Sequence, residues 1–476
     1  MKALFCILLS ATLGGCAVGP DYIRQEPAVP PAWMNAAANP RSEDISRWWR
    51  RLNDPVLNEL MQESLRNNHD LRGARARLTE ARARLDLADA NLLPQLNASL
   101  SSSRSKGSAA TGSGASSTLF NAGFDAAWEI DVFGGLRRAN EAAQADAGVT
   151  QSNLYGTQVS LAAEVALNYV QLRGYQARLE IARNNLAAQR ETLQITEWRE
   201  QAGMVTILEV EQARGNLQQT LAALPALKTG LDKAENRLAI LLGLFPAALH
   251  ARLSSPLPLP ALPDEIALGI PTDTLRQRPD VQAAERKLAA ETARIGQATA
   301  ALYPSFSLGG NLGWKSTTLS GLGDSGALTQ SFSASLAQSI FDGGRLRSRV
   351  NAQNAVQEQA LIAYEKSVLT ALEEVENALT AYANSRERRA ALNIAAASAL
   401  NAARLAGQRY AGGLIDFQSV LETERTRLSS EDNLATAAQD ELAALIGLYK
   451  ALGGGWSERT ETAPATQTGP HSGNPS

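Results

Sequence analysis

The segment Asp70–Pro94, DLRGARARLTEARARLDLADANLLP, returns 210 residues later as Asp280–Pro304, DVQAAERKLAAETARIGQATAALYP. Leu71, Leu78, Leu85 and Leu92 stand where Val281, Leu288, Ile295 and Leu302 stand in the second copy. The same offset carries Asp70 to Asp280, Gly203 to Gly413, Val210 to Val420 and Leu242-Gly243 to Leu452-Gly453, while Gly134-Gly135 meets Gly343-Gly344 at 209. One offset held over so many landmarks is an internal duplication. Its copies are residues 57–244 and 272–456, and the join 245–271 holds six of the nineteen prolines.

The prolines also say what each copy contains, because proline breaks helix interiors and central strands alike. None lies between Gln95 and Leu224, and none between Ser305 and Ala463. Within these spans Leu136 to about Trp198 and Leu346 to about Tyr410 are rich in Ala, Gln, Glu and Arg, which favour helix. Each would be roughly 95 Å long at 1.5 Å per residue. Val165, Leu172, Leu179, Leu186 and Leu193 recur every seven residues, with Leu161, Tyr175 and Ala182 interleaved, so these helices should pack along one another. Shorter helices are expected over Leu57–Leu93, Thr206–Leu242, Thr272–Leu302 and Asp416–Leu452, with a local kink at Pro225 in the first copy only.

Between the helices the period drops to two, the mark of strands. Phe120, Ala122, Phe124, Ala126, Trp128, Ile130 and Val132 alternate with Asn121, Gly123, Asp125, Glu129 and Asp131. Phe306, Leu308, Leu312 and Trp314 alternate with Ser305, Ser307, Asn311 and Lys315; Phe332, Ala334, Leu336 and Ile340 do so with serines; Leu96, Ala98 and Leu100 do so with Gln95, Asn97 and Ser99. The Ser/Gly-rich stretches Ser101–Ser117 and Ser316–Ala327 read as their turns. Four strands of membrane-barrel length cannot close a barrel, and an open edge in lipid leaves backbone groups without partners, so several subunits must share one barrel. Phe124, Trp128, Phe306 and Trp314 would then face lipid, and Asp125, Glu129 and Asp131 the lumen. Trp128→Arg would cost on the order of 2–4 kcal/mol if that site lies near the bilayer midplane.

The first residues carry an address. Lys2 precedes the apolar run Ala3–Leu13 and the sequence Leu13-Gly14-Gly15-Cys16, the layout of a secretory signal, 1–15, ending in a motif that resembles a lipobox. Cys16 is therefore expected to be lipidated, and Ala17 at the sorting position points to the outer membrane. The other cysteine, Cys6, lies in the signal, so no internal disulfide is available to the mature chain. A formal charge of -3 without a basic run excludes the electrostatic footprint of a nucleic-acid binder.

These features together resemble the outer membrane factors, the TolC-like exit ducts of tripartite drug efflux pumps and of some secretion systems. The resemblance rests on Cys16-Ala17-Val18-Gly19-Pro20-Asp21-Tyr22, Trp48-Trp49, Asp54-Pro55, Asn68-His69-Asp70-Leu71, Arg278-Pro279-Asp280-Val281, Tyr303-Pro304, Phe341-Asp342-Gly343-Gly344 and Tyr449-Lys450-Ala451-Leu452-Gly453-Gly454-Gly455-Trp456. It implies a mixed α+β homotrimer: a twelve-stranded transmembrane β-barrel in the outer membrane, four strands from each chain, continued by a long periplasmic α-helical barrel. It also implies an equatorial girdle built from the leader segment 16–56 near Trp48, the Pro-rich join and the C-terminal end near Trp456, and the tail 457–476 reads as disordered. The implied partners are a periplasmic adaptor, an inner-membrane pump and outer-membrane lipid. The gate in this family is the periplasmic end, where an apolar residue and an acidic residue four positions later ring the constriction. Aligned on Tyr410 and Gly413, these positions are Gln418 and Glu422, with Arg425 one turn beyond; Gln418 departs from the apolar pattern.

No enzyme, cofactor or metal is implied. His69, His250 and His471 lie in no metal-ligand spacing, there is no Gly-Lys-Ser/Thr phosphate loop, and Gly323-Asp324-Ser325-Gly326 sits in a strand-to-strand turn with no histidine placed to serve it. The chain therefore reads as a passive conduit for drugs or other small molecules. Two alternatives stand beside that reading: the outer component of a type I secretion system, and a lipid-anchored coiled-coil spacer. The spacer explains the heptads but gives the strands no task.

Overall fold

A computed structural model describes residues 17–24, 29–34, 44–263 and 271–457. The signal, Cys16, part of the join and the tail from 458 onward lie outside the described residues. The chain divides into two compact units, and each draws on both sequence copies.

The first unit comprises Met1–Pro27, Ala76–Gln151 and Gln282–Ser367. It contains most of helix α2 (His69–Ala90; α1, Pro55–Asn67, precedes it), the strands β1 (Gln95–Lys106) and β2 (Ser116–Ile130), and the start of α3 (Gly135–Gln201). After α4 (Ile207–Leu241), α5 (His250–Leu253) and α6 (Pro271–Gln277), the chain returns to this unit through α7 (Pro279–Ala300), β3 (Ser305–Ser316), β4 (Leu328–Ala337) and the start of α8 (Arg345–Ala411). The strands form one antiparallel sheet in the order β1-β2-β3-β4. Ala98 faces Phe124, Phe124 faces Leu312, and Phe306 faces Leu336, so even positions pair with even throughout.

Three expectations for this region change. Strand β1 runs on to Lys106 and β2 begins at Ser116, so the expected turn Ser101–Ser117 shrinks to 107–115. The alternation had faded there because Ser102, Arg104 and Lys106 continue the face of Leu96 and Leu100 with polar groups. Ile340 lies beyond the end of β4. Asp131 lies beyond the end of β2, and its carboxylate accepts the backbone N–H of Leu136 (3.1 Å) and Arg137 (2.9 Å) at the start of α3. Strand parity therefore no longer assigns Asp131 a face, and its work is to cap orphan donors and favour the positive helix end.

The second unit comprises Ala28–Arg75, Ser152–Val281 and Val368–Ser476. It holds α1, the far part of α3, α4, α5, α6, the far part of α8, and α9 (Phe417–Ala451). The heptad positions Val165, Leu172, Leu179 and Leu186 of α3 are buried, as the seven-residue repeat requires. Two expected helices are each broken. Asn68 ends α1 and its side chain accepts the Leu71 N–H (3.0 Å) to start α2, while its amide donates to Leu241 O (2.9 Å). Pro279 stops α6 at Gln277 and opens α7, since proline disfavours helix before it and suits the first helical position. Helix α4 continues unbroken through Pro225.

Around the middle of α3 the chain's remote segments meet. Trp48 stacks on Tyr449 with ring centroids 5.0 Å apart, Gly455 N–H donates to Ile45 O (3.1 Å), and Trp456 Nε1–H donates to Gln277 O (3.1 Å). Buried Arg173 donates to Ser255 O (3.0 Å) and Gln176 to Leu253 O (2.7 Å), which ties the start of the join to α3. Trp48, the start of the join and Trp456 are thus all held within the second unit.

Candidate channel walls and gate

The register sorts the sheet into two chemical faces. Phe124, Trp128, Phe306 and Trp314 share the even face with Leu96, Ala98, Leu100, Leu308, Leu312, Phe332 and Leu336. Asp125 and Glu129 share the odd face with Asn97, Ser99, Asn311 and Lys315, among others. Side chains of the odd face bond one another across strands: Ser99 Oγ donates to Asp125 (3.1 Å), Ser331 Oγ to Asn311 (2.9 Å), and Ser307 and Ser335 hydroxyls lie 2.7 Å apart. Gly123 and Gly313 oppose each other on that face so closely that a Cβ on Gly123 would lie 2.8 Å from Gly313 Cα. One face is thus built for an apolar medium and the other for water.

The apolar face ends in aromatic rings. Phe133 stacks on Tyr303 (4.7 Å) and tilts against Phe306 (6.4 Å), and the Trp128 indole N–H donates to Leu92 O at 3.0 Å. Amphipathic rings of this kind mark membrane–water boundaries. The leader packs beside them. Val18 N–H donates to Phe133 O (3.1 Å), and buried Arg138 donates to Val18 O (3.3 Å), Gly19 O (3.4 Å) and the Asp21 carboxylate (2.6 Å). A Cβ on Gly19 would lie 2.4 Å from Gly296 Cα, so glycine is required where leader and helix touch.

In the second unit, α3 turns into α4 and α8 into α9 through two matched turns. Gly203 and Gly413 both take φ +70°, with Met204 N–H donating to Arg199 O and Leu414 N–H to Arg409 O, each at 2.8 Å. Asp416 caps α9 by accepting Ser419 Oγ–H (2.6 Å) and Ser419 N–H (2.9 Å), and these two bonds hold its carboxyl below the usual range. The two turns are latched to each other at Tyr410. The Arg199 guanidinium lies 4.3 Å from its ring centroid and donates to its carbonyl at 2.7 Å, while the Tyr410 hydroxyl donates to Glu209 (3.4 Å). Tyr410, Phe417, Val420 and Leu421 form a buried cluster with Ala213 and Ala406.

Gln418 and Glu422 are exposed, and Glu422 makes no side-chain hydrogen bond or ion pair among the described residues. The ordinary i,i+3 ion pair between Glu422 and Arg425 is not formed. Arg425 Nε–H donates instead to Asn216 Oδ1 of α4 at 3.2 Å. A ladder continues from there: Thr192 donates to Glu424 (2.7 Å), Asn185 to Glu431 (2.8 Å), and Arg178 grips Asp432 at 2.6 and 2.9 Å. Burial pushes the Glu424 carboxyl up, against Thr192 and Arg427, which draw it down. Arg178, Asn216, Thr220, Arg425 and Asp432 line a cavity of about 650 Å³. Sequence reasoning used Tyr410 only as an alignment anchor and passed over Arg199, whose one legible signal was a cation in the last turn of a helix.

Among the described residues no helix is long and apolar enough to cross a membrane, and no group of three or more His, Cys, Asp or Glu side chains could hold a metal ion.

Comparison with known proteins agrees with this geometry. The profile of the family described as outer membrane efflux protein matches residues 60–244 and again 270–454, the two copies of the duplication. Outer membrane protein OprJ of Pseudomonas aeruginosa is 32% identical over 458 residues, covering 95% of each chain. The pyoverdine export outer membrane protein OpmQ of Pseudomonas putida is 33% identical over 471 residues, covering 96% of this chain and 98% of that one. A solved structure of the outer-membrane channel OprN superposes with a TM-score of 0.87 at 39% identity, covering 93% of this chain and 100% of that one.

Proposed function

Because this chain belongs to the outer membrane efflux protein family and is an outer-membrane exit channel of a tripartite efflux system, we propose that three copies conduct small molecules passively past a charged gate at the α8–α9 turn. The even face of the sheet turns to lipid and the odd face, with Asp125 and Glu129, to a water-filled lumen. The channel performs no catalysis. Neither alternative is favoured: among its relatives are outer membrane proteins of pyoverdine export and of a toluene efflux pump, and a spacer leaves a two-faced sheet without use.

One observation carries the gate: Glu422 stands exposed and without a side-chain partner one turn past a tight reversal, while the cation expected to neutralise it is held by Asn216. Three copies of Glu422 around a threefold axis make a ring that attracts cations. Arg425 keeps that ring in place by tying α9 to α4 rather than by pairing with Glu422, and Gln418 supplies no apolar plug. Single-trimer conductance tests this. Glu422→Ala should lower cation preference and Arg425→Ala should raise conductance; unchanged values in both remove the gate from this turn.

The exposed apolar residues Met204, Leu208 and Leu414 at the same end, Leu414 at 77% exposure, suit the helical tip of a periplasmic adaptor, which in turn joins the channel to an inner-membrane pump.

Lipid attachment at Cys16 belongs to the same reading. Ala17 and Val18 lie against Gly134 and Phe133 beside the aromatic rings, which supports an anchor on the residue before them. A mass of the mature N-terminus should carry the added acyl chains, and an unmodified cysteine there rejects the anchor.

A further inference from the structure

The duplication makes the contacts inside the chain a template for contacts between chains. Where β2 of the first copy pairs with β3 of the second, the helix after β2 also lies on the helix before β3. A Cβ on Gly135 of α3 would sit 3.2 Å from Ala300 Cβ of α7, and a Cβ on Gly296 of α7 would sit 2.8 Å from Arg138 Cγ of α3. Farther along, Arg294 of α7 pairs with Asp146 of α3. Strand pairing and helix seating are thus one joint.

The sheet leaves β1 and β4 as its edges, and strand directions alternate across it. Closing three sheets into one barrel therefore sets β4 of one chain antiparallel to β1 of the next, with the start of α8 beside the end of α2. The offset of 210 maps the internal joint onto that one. It holds along the helices, since α3 (Gly135–Gln201) and α8 (Arg345–Ala411) begin and end 210 residues apart, the one-residue difference falling at the glycine pairs before them. By this offset Arg138 and Ala142 correspond to Ser348 and Ala352, while Ala293 and Gly296 correspond to Ala83 and Asp86. The first set in each pair is buried and its counterpart is exposed: Arg138, Ala142, Ala293 and Gly296 are covered, whereas Ser348, Ala352, Ala83 and Asp86 face outward. The exposed faces are the ones a second copy has to cover.

Charge singles out the contact. Arg345, Arg347 and Arg349 occupy the first turns of α8, where the helix dipole disfavours cations, and their side chains make no hydrogen bond among the described residues. Just before them, past the end of β4, Ile340 and Phe341 are 90% and 92% exposed. On the facing helix, Asp86 has no side-chain partner among the described residues, and Leu93 is exposed where its counterpart Tyr303 stacks on Phe133. Inside the chain Gly296 leaves room for the Arg138 stem and for Gly19 of the leader, and the leader's Asp21 closes on Arg138. At position 86 there is no glycine, and a carboxylate stands in its place.

We propose that α8 of one subunit seats on α2 of a second copy with Ser348 over Asp86, the Asp86 carboxylate being held by Arg345 and Arg349 as Asp21 is held by Arg138, and with Ile340 and Phe341 covered by Leu93. This rests on the trimeric reading and adds to it the residues of the joint.

The test is a disulfide between chains. The only natural cysteines are Cys6 and Cys16 of the N-terminal segment, so engineered thiols report alone. In outer-membrane vesicles, Asp86→Cys with Ser348→Cys should oxidise to a covalent trimer, because in the template a Cβ on Gly296 lies 2.8 Å from Arg138 Cγ, so the two positions are direct neighbours, as a disulfide requires. Asp86→Cys with Ala355→Cys, about 10 Å farther along α8, should stay unlinked. In parallel, Asp86→Arg should lower the temperature at which the trimer dissociates in detergent, and adding Arg345→Asp and Arg349→Asp should restore most of it. Native mass distinguishes the ways of failing. A trimer that does not cross-link at the first pair, or that links equally at the second, overturns the seating alone; a monomer overturns both the seating and the trimer.

Discussion

Phe124→Arg should cost about 2–4 kcal/mol of insertion free energy per chain, the toll of an arginine on the lipid face of a barrel near the bilayer midplane. The apolar run of β2 extends from Phe120 to Ile130. That run is about 33 Å at 3.3 Å per residue, and about 25 Å of membrane depth after a tilt near 40°. Phe124 lies near its middle, between Ala98 and Leu312, and is 50% exposed within the single chain. An arginine there has no carboxylate on its own face of the sheet to meet. The fraction of protein recovered as folded, heat-resistant trimer should fall accordingly. Trp128→Arg is the companion measurement, for which the larger cost is tied to a site near the bilayer midplane. That indole sits two residues from the strand end and bonds Leu92 O, so an arginine there reaches headgroups and costs only about 0–1 kcal/mol. Equal damage from the two substitutions would show that the apolar belt has been placed wrongly.

Trp48→Ala should destabilise the second unit by about 3–5 kcal/mol, the usual cost of emptying a large aromatic site from a core. Trp48 is 1% exposed, stacked on Tyr449 and edge-on to Trp49 at 5.9 Å, and a Cβ on Gly454 would come within 3.0 Å of its ring. The cavity would loosen both the segment that enters at Ile45 and the end of α9, since each is held through that ring. Amide exchange at Tyr449–Gly455 should quicken, with the unfolding midpoint of these helices lowered. Trp48→Phe, which keeps a stacked ring, should lose clearly less. Exchange that stays slow in Trp48→Ala would mean that the hydrogen bond from Gly455 to Ile45, and not the stack, holds the two ends together.

Much of this protein follows from periodicity, which is a local property and so can be read one window at a time. A seven-residue repeat buries one stripe of a helix whatever the helix meets, and Val165, Leu172, Leu179 and Leu186 obey it. A two-residue repeat fixes which side chains share a face, so Phe124, Trp128, Phe306 and Trp314 were separable from Asp125 and Glu129 before any pairing was known. The duplication, the strands and the two reversals at Gly203 and Gly413 were legible for the same reason. Tertiary structure decided what depends on partners distant in sequence. Asn68 breaks a continuous helical pattern because its side chain can cap the next helix while bonding Leu241, and nothing in the neighbouring residues says that Leu241 O is there. Asp131 keeps strand parity by sequence yet leaves the strand, because the free N–H groups of α3 compete for its carboxylate. Arg425 stands one turn from Glu422 but bonds Asn216, 209 residues away in sequence. Short-range spacing offers a charged side chain a candidate partner, and the packing of one helix against another decides whether it takes that partner or a closer one.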